Sequence, residues 1–295
     1  YGARLAMTLP CEPTVPAARL EADLRRFELR RLRVSIGAKM ASVVVPDAQS
    51  YLRSGGWVDD AERQHEPPYW VQVWPASLVM SRWLAGGWHG TGRRALDLGC
   101  GLGLPGITAA SLGAQVTFLD RNPDALRFAR WNAAQLCGEA ERVSAVEMDW
   151  GRDTLVGSFD VILLADVTYR PLHHAGVLRH LRGCLAEGGV VLHAEPWRAE
   201  STGFLRSLAG EFAMAVADCP VQAATGPMQV RLCAAARDAS HLQPWLTQLP
   251  RRAVLLDAAT GLRTRGSAVG AAVGTAGSGM SRSSTAHERA LGDRP

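Results

Sequence analysis

The sequence predicts an α/β fold: a doubly wound, mostly parallel sheet of seven strands with helices on both faces and a C-terminal antiparallel hairpin. From Arg93 onward, short apolar runs alternate with longer amphipathic ones, which is the order expected of a parallel sheet covered on both faces. A glycine-rich run at 99–103 joins one of these strands to a helix. Two last apolar runs, separated by a loop with Pro and Gly, predict the hairpin.

Each element is predicted from its period and its end signals. Residues 18–36 mix charged and apolar positions and predict a helix or a strand, and the β-branched run 40–46 predicts an edge strand after it. Prolines bracket the aromatic segment 69–74, and the helix 76–84 then stops at a pair of glycines. The other predicted elements are strand 94–98, helix 105–112, strand 115–119, helix 123–136, strand 143–148, strand 159–164, helix 172–185, strand 190–193, helix 203–209, strand 212–216 and strand 228–233.

The chain is expected to have three parts. Residues 1–66 form an N-terminal extension with a possible helix and edge strand, 67–240 form the α/β domain, and 241–295 form a C-terminal extension. From about Thr260 the sequence consists mainly of Gly, Ala, Ser and Thr with scattered Arg. Such a segment buries too little apolar area to offset its ordering entropy, so we predict that it is disordered.

The charge and hydropathy of the chain exclude several classes of partner. The net charge of +4 arises after residue 250, because 251–295 carry seven basic and three acidic side chains. A neutral folded region gives no support to a nucleic-acid groove, so no nucleic-acid partner is expected. No stretch approaches the roughly 20 apolar residues that span a bilayer, and the first residues do not follow the pattern of a secretory signal. We expect no membrane partner and a cytoplasmic protein.

The cysteines and histidines predict neither disulfides nor a metal site. The six cysteines show no C-x-x-C spacing, which suits reduced thiols. His173, His174 and His180 fall in one predicted helix, but no nearby Cys or second His pair completes a set of ligands. The cysteines are Cys11, Cys100, Cys137, Cys184, Cys219 and Cys233.

The glycine-rich turn predicts a ligand site at the end of the first strand of the α/β domain. Gly99, Gly101 and Gly103 permit a tight turn and a close approach of backbone to ligand, and the next helix offers unpaired N–H groups. A dinucleotide site would have its third glycine at position 104, which is Leu104. Asp97, inside the strand end, suits a ligand with an amino acid moiety because its carboxylate can meet an ammonium group.

The ends of the next two strands add groups that suit a nucleoside. Asp120 closes the second strand, where a carboxylate can accept hydrogen bonds from both ribose hydroxyls. Asp149 and Trp150 end the third strand and offer an acceptor for an adenine amino group and an aromatic face for the base. Cys100 of the turn and Arg121 beside Asp120 complete the expected contacts. Together these residues favour S-adenosylmethionine over NAD as the cofactor.

Each of these residues has a structural alternative. Asp120 could instead cap the helix that starts near Pro123. Asp149 could be a solvated loop residue, and Trp150 a core or lid aromatic. Trp74 could pack the helix that follows it onto the sheet.

Asp166 and Tyr169 follow the fourth strand, beside the expected position of the cofactor's sulfonium methyl group. Methyl transfer is an in-line displacement, to which positioning of the nucleophile contributes much of the rate. An amine nucleophile must also lose a proton, so a carboxylate that attracts an ammonium group and a hydroxyl that orients it are useful partners. We therefore predict that these two residues are catalytic. The alternative is a helix cap at Asp166 with a packed Tyr169.

The combination of motifs resembles methyltransferase family 16, seven-β-strand methyltransferases that include several protein-lysine methyltransferases and bacterial relatives. The resemblance covers about 67–237. It rests on Trp74-Pro75, Asp97-Leu-Gly-Cys-Gly-Leu-Gly-Leu-Pro-Gly106, Asp120 followed by Asn122, Asp149-Trp150-Gly151, and Asp166-x-x-Tyr169.

The resemblance implies specific roles and leaves the acceptor open. It implies cofactor contacts from Trp74, the 99–101 turn, Asp120, Trp150 and Ala165, with Asp166 and Tyr169 helping to build the acceptor site. The chain reads Glu195-Pro-Trp-Arg198 after the fifth strand, where many bacterial members have Asp-Pro-Gly-Arg. Loops of this kind build the substrate-facing rim.

The leading expectation is an S-adenosylmethionine-dependent N-methyltransferase that acts on a protein lysine. A methyltransferase of the same fold that acts on a small-molecule amine is the nearest alternative, because fold does not fix the substrate. An NAD(P)-dependent oxidoreductase and a non-catalytic nucleotide-binding module are alternatives of another class.

Overall fold

The computed structural model describes residues 6–8, 17–36, 39–53, 67–137, 142–223, 226–249, 254–256 and 263–265. Its strands are β1 (Ala6–Thr8), β2 (Leu29–Ile36), β3 (Lys39–Pro46), β4 (Arg94–Leu98), β5 (Gln115–Asp120), β6 (Val143–Glu147), β7 (Thr154–Val156), β8 (Phe159–Ala165), β9 (Leu185–Pro196), β10 (Ala213–Ala223), β11 (Gly226–Ala236), β12 (Val254–Leu256) and β13 (Arg263–Arg265). Its α-helices are α1 (Ala17–Leu24), α2 (Ala48–Arg53), α3 (Pro75–Ala85), α4 (Leu104–Ser111), α5 (Pro123–Cys137), α6 (Pro171–Cys184), α7 (Ala199–Ala209) and α8 (Gln243–Leu246).

The main sheet confirms the predicted fold class. Within the described ranges, nine strands pair in the order β13-β12-β10-β11-β9-β8-β4-β5-β6. The strands from β9 to β6 in that order run parallel, whereas β11, β10, β12 and β13 pair antiparallel. Seven strands are those predicted, and β10 with β11 forms the predicted hairpin. The short β12 and β13 extend the sheet past it. Of the tail predicted to be disordered, Arg263–Arg265 is β13 and the rest lies outside the described residues.

Helices cover both faces of this sheet, as predicted. On one face, Met80 of α3 and Ile107 of α4 pack with Phe118 of β5 in one buried cluster. On the other face, Leu181 of α6 and Phe204 of α7 belong to a second buried cluster. Strands that are covered on both sides must be apolar throughout, which explains their continuous apolar runs. No helix in the described ranges has both the length and the apolarity that a bilayer crossing requires.

The chain reverses its direction of travel across the sheet between β4 and β8. It moves outward from β4 through β5 to β6 and then returns to β8 and β9 on the other side of β4. Asp97 of β4 accordingly pairs in register with Phe118 of β5 and with Leu163 of β8. The connections after β4 and β8 leave in opposite directions, which opens a crevice at the carboxyl ends of these two strands.

The expected edge strand at 40–46 is β3, which pairs with β2 in a separate two-stranded antiparallel sheet. This sheet is fastened to α5 by Asn132, whose Oδ1 accepts a hydrogen bond from Val44 N at 2.8 Å and whose Nδ2 donates to Val44 O at 2.9 Å. Aromatic side chains extend the contact, with Tyr51 and Trp70 in an edge contact at 5.1 Å between ring centroids. Because Tyr51 and Trp70 also lie beside the crevice, these contacts connect the N-terminal elements with it.

Several elements differ from the predicted bounds: β10 and β11 extend beyond 212–216 and 228–233 because they pair with each other along their whole length, and α7 begins at Ala199 rather than at 203. Strand β9 is much longer than the predicted 190–193, since β11 continues to pair with it as far as Glu195 and Pro196. Strand β7 was not predicted at all, and it pairs in parallel with β1. Both depend on partners that are remote in the sequence.

Candidate active site

A cavity opens at the carboxyl ends of β4, β5 and β8. Its walls come from the segment before α3, the β4–α4 turn, the end of β5 and the loop after β8. It brings together eleven of the thirteen residues predicted for the site: Trp74, Gly99, Cys100, Gly101, Gly103, Asp120, Arg121, Trp150, Ala165, Asp166 and Tyr169. Asp97 and Asp149 are not among the residues that line it.

The glycine-rich turn forms one wall of the cavity. Gly99 has φ +74° and Gly103 has φ +80°, a left-handed conformation that side-chain-bearing residues rarely adopt. The N–H groups of Gly99 and Cys100 both donate to Leu119 O, at 2.8 and 3.0 Å. The turn is therefore fixed to the end of β5.

Asp97 supports the turn from inside the protein. Its side chain is buried, and its Oδ2 accepts a hydrogen bond from Gly106 N at 2.8 Å, in the first turn of α4. Burial raises the pKa of Asp97 to about 7, and the nearby Asp120 adds to this effect, whereas the bond from Gly106 opposes it. Asp97 thus binds the backbone of α4, and its predicted contact with a ligand, directly or through water, stays a prediction.

Asp120 lies at the cavity wall and is held by two backbone donors. Its Oδ2 accepts from Gly101 N and its Oδ1 from Asn122 N, both at 2.9 Å. The cap of α5 is Asn122, whose Oδ1 accepts from Asp124 N at 2.9 Å. The alternative role of Asp120 as a helix cap therefore belongs to Asn122. Burial raises the pKa of Asp120.

Trp150 lines the cavity and Asp149 shapes the turn that carries it. Asp149 Oδ1 accepts from Gly151 N at 2.8 Å, which closes a local turn. The Trp150 ring lies against Gly99 and makes an edge contact with His173, with 5.6 Å between ring centroids. Its buried Nε1 has no hydrogen-bond partner among the described residues. The sequence analysis considered His173 only as a metal ligand, predicted no metal site, and gave it no other role.

Asp166 occupies a strained position at the end of β8. It is the one non-glycine residue with positive φ, +59°, among the described residues, and its N donates to Ala194 O at 2.9 Å. Such strain is found where the surrounding structure fixes a functional group. Its carboxylate is nearly buried and pairs with the guanidinium of Arg198. Burial raises the pKa of Asp166, and the bond and charge of Arg198 oppose the rise.

A buried carboxylate, Glu195, lies behind Asp166. It accepts hydrogen bonds from His193 Nε2 at 3.1 Å, from Ser201 Oγ at 2.5 Å and from Thr168 Oγ1. Burial alone would raise the pKa of Glu195, but these bonds and the His193 side chain lower it. The sequence analysis singled out the run Glu195-Pro-Trp-Arg198 because it departs from the related pattern at Glu195 and Trp197, and it predicted no role for Glu195 or Arg198.

An aromatic group borders the opening of the cavity. Tyr69 makes edge contacts with Trp74 and with Tyr169, at 5.9 and 5.5 Å between ring centroids. Trp74 Nε1 donates to Tyr69 O at 2.7 Å. Tyr69 thus links the two predicted residues, although it was not itself predicted. The signal available was its place in an aromatic segment bracketed by prolines.

The arrangement suits a nucleoside-bearing cofactor and a cationic acceptor. Asp120 offers a carboxylate and Trp150 an aromatic face with an unused donor, on the side of the glycine turn. Asp166 and Tyr169 lie on the β8 side of the same cavity. Within the described residues, no group of three or more His, Cys, Asp or Glu side chains is placed to hold a metal ion.

Comparisons with known proteins find similarity to methyltransferases. Residues 96–191 match the family model described as a methyltransferase domain. The chain is 38% identical to protein N-lysine methyltransferase METTL21A of Mus musculus over 147 residues, 48% of this chain and 67% of that protein. It is 31% identical to the electron transfer flavoprotein beta subunit lysine methyltransferase of Danio rerio, over 49% of this chain and 56% of that protein. It is 33% identical to histone-arginine methyltransferase METTL23 of Rattus norvegicus, over 37% of this chain. The chain spans about half the length of the last protein, 51%.

Proposed function

Because the chain belongs to methyltransferase family 16 of the seven-β-strand methyltransferases, we propose that it transfers a methyl group from S-adenosylmethionine to the side-chain amine of a lysine in a protein. The observation that carries this proposal is that Asp166 and Tyr169 line the same cavity as the glycine turn. A carboxylate and a phenol beside the glycine turn suit a lysine side chain, because lysine binds as a positively charged ammonium group and reacts as the neutral amine.

The residues on the turn side of the cavity fit S-adenosylmethionine. Bound there, it would supply a methyl group on a positively charged sulfur. Asp120 would accept hydrogen bonds from the ribose hydroxyls, since its carboxylate is already aimed and fixed by Gly101 N and Asn122 N. Trp150 would cover the adenine, and its unpaired Nε1 is a free donor within the described part of the cavity. Val167 and Trp150 pack so closely on Gly99 that a Cβ there would clash with Val167, so this part of the cavity wall requires glycine.

The residues on the β8 side would handle the acceptor. The Asp166 carboxylate would attract the lysine ammonium, and the amine must lose its proton before it can act as a nucleophile. The Tyr169 hydroxyl would orient the amine, with the ring held between Tyr69 and His173. Restricting the amine to one approach direction supplies the in-line geometry that methyl transfer needs.

A protein acceptor is supported by the rim of the cavity and by the relatives. Tyr69, which lines the cavity, is 41% exposed. A large exposed aromatic side chain at the edge of a site can pack against the residues that flank the modified lysine in a protein substrate. Two of the similar proteins bear names of lysine methyltransferases.

The five cysteines within the described residues are free, which suits the reducing cytoplasm.

The proposal is tested with purified protein, methyl-labelled S-adenosylmethionine and a cell lysate that supplies acceptors. We expect label in protein, and methyllysine after acid hydrolysis. Asp166→Asn should lose most of the labelling. Asp160→Asn is the matched control, because Asp160 lies at the opposite end of β8 and pairs with Arg93 on the surface.

Three outcomes would overturn parts of the proposal. Methylarginine in the hydrolysate would show that the acceptor is arginine and not lysine. Label confined to small molecules would show that the acceptor is not a protein. Calorimetry with S-adenosylhomocysteine and with NADH tests the cofactor independently. Tight binding of NADH and none of S-adenosylhomocysteine would favour an oxidoreductase instead.

A further inference from the structure

An ion pair joins the two loops behind the proposed acceptor site. Asp166 follows β8, and Arg198 lies immediately before α7. Arg198 Nη1 contacts Asp166 Oδ1 and also donates to Glu195 Oε1 at 3.2 Å, while Arg198 Nη2 lies 3.5 Å from Asp166 Oδ2. One guanidinium therefore bridges two carboxylates, and Oδ2 is the less engaged oxygen of Asp166.

Glu195 is the fixed end of this arrangement. Its side chain is 1% exposed, and hydrogen bonds from β9, from the loop after β8 and from α7 hold it. The donors other than Arg198 are His193, Thr168 and Ser201. A carboxylate with several donors stays ionised even when buried. Arg198 is thus attached to a rigid negative group on the side away from Asp166.

Asp166 itself has few other means of keeping its charge. Its side chain is 6% exposed, and burial favours the protonated form. The charged or titratable groups that face it are Arg198 in front of α7 and Glu195 and His193 on β9. Of these, Glu195 opposes ionisation of Asp166, and Arg198 is the strongest group that favours it. A protonated Asp166 would neither attract an ammonium group nor accept its proton.

We propose that Arg198 is a positioning residue that keeps Asp166 ionised and turned toward the acceptor amine, with Glu195 as the anchor of Arg198. The proposal rests on the proposed function, because it concerns the same acceptor site. As a consequence, the two oxygens of the Asp166 carboxylate have different partners: Oδ1 contacts Arg198, and Oδ2 is left for the acceptor amine. The planar fork of arginine matters because Nη1 contacts both carboxylates while Nη2, in the same plane, lies near Asp166 Oδ2, whereas a lysine ammonium would be a point charge without this fixed geometry.

The test compares Arg198→Gln, which keeps a long polar side chain without the charge, with Arg198→Lys, which keeps the charge without the fork. The first readout is the titration of Asp166 by carbon-13 NMR of aspartate carboxyl groups, assigned with Asp166→Asn. In Arg198→Gln the pKa of Asp166 should rise by about one unit or more, and in Arg198→Lys it should rise by less. This readout requires no turnover.

The second readout is kcat and KM for the acceptor against pH. In Arg198→Gln, kcat near neutral pH should fall about tenfold or more, with the acid limb displaced to higher pH, and Arg198→Lys should restore part of it. The dissociation constant of S-adenosylhomocysteine should stay within about twofold, since Arg198 lies away from the turn. The matched control is Arg206→Gln, because Arg206 is an exposed arginine of α7, the helix that begins directly after Arg198. This substitution should change neither readout.

The outcomes separate this inference from the proposed function. An unchanged Asp166 titration in Arg198→Gln would overturn the inference. So would an equal loss of kcat in both variants with no displacement of the pH profile, because that pattern marks a purely structural role. If the unaltered protein methylates no amine, the proposed function fails, and the titration still decides whether Arg198 controls the charge of Asp166. Thermal unfolding of each variant confirms that it is folded.

Discussion

The indole ring of Trp150 lies against the backbone of Gly99, so closely that a Cβ on Gly99 would approach Trp150 Cη2 to 3.2 Å. The same Cβ would approach Val167 Cγ1, in the loop after β8, to 2.6 Å. Three parts of the chain thus meet at one glycine: the turn after β4, the loop after β6 and the acceptor-side loop after β8. The cofactor and acceptor halves of the cavity share this contact.

Replacing Gly99 with alanine should therefore weaken cofactor binding. The added methyl group clashes with Val167, and the left-handed φ adds strain of about 1–3 kcal/mol. We expect the dissociation constant of S-adenosylhomocysteine to rise about tenfold or more by calorimetry. Gly183→Ala is the control, because Gly183 lies in α6 with open space around it. Wild-type affinity in Gly99→Ala would contradict the close contact.

Replacing Asp120 with alanine should also weaken cofactor binding, through lost hydrogen bonds. Charge-assisted bonds contribute about 1.5–3 kcal/mol each, so the dissociation constant of S-adenosylhomocysteine should rise at least about tenfold. Glu147→Gln is the control, since Glu147 is the exposed register partner of Asp120 on β6. Equal affinities in Asp120→Ala and the unaltered protein would remove Asp120 from the proposed ribose site.

Asp166→Asn and Tyr169→Phe should lower turnover and leave the cofactor bound. General acid–base groups contribute about 100-fold or more, so kcat for Asp166→Asn should fall by that order, and for Tyr169→Phe by less. Equilibrium binding of S-adenosylhomocysteine should not change in either. A parallel loss of cofactor affinity would contradict the division of the cavity into a cofactor side and an acceptor side.

The stability of the protein should depend on pH through Asp97. Its folded-state pKa of about 7 lies above that of an unfolded aspartate, so the native state holds the proton more tightly. The contribution of Asp97 to the free energy of unfolding is therefore present at low pH and is lost as the pH rises toward 7. Asp97→Asn removes this titration.

We expect the difference in unfolding free energy between Asp97→Asn and the unaltered protein to shift by about 2 kcal/mol in favour of the variant between about pH 5.5 and about pH 8. Urea unfolding at both pH values measures it, and the other titrating groups cancel in the difference. A difference that is the same at both pH values would show that Asp97 ionises normally.

Asn132→Ala should loosen the N-terminal sheet from the main domain. Asn132 is buried, and it satisfies both backbone groups of Val44. Leaving buried backbone groups without partners costs about 1–3 kcal/mol each, so the free energy of unfolding should fall by at least about 2 kcal/mol. Gln135→Ala, at an exposed position of the same helix, is the control and should change it by less than about 0.5 kcal/mol. Equal stabilities would show that the sheet of β2 and β3 is held by its apolar contacts instead.

Much of the fold was predictable because its signals are local. The strand at Arg94–Leu98 was predicted with its observed bounds, since it is a buried apolar run that ends at a glycine turn. The long end of β9 was not predictable, because the partner that extends it, β11, follows it by some thirty residues of helix and hairpin. The strand β7 lacks a local signal for the same reason, since its partner is β1.

By itself, the sequence determined the glycine turn, the acids at the strand ends and the pair Asp166 and Tyr169, because each follows directly from a strand end, and the ends of parallel strands share one edge of the sheet. Only the tertiary structure decided which of these groups face the cavity. It placed Asp97 beneath the turn, gave the helix cap to Asn122, and brought Arg198 to Asp166 from 32 residues away. The physical reason is that hydrogen bonds and ion pairs between side chains depend on distance in space, which the spacing of residues along the chain does not encode.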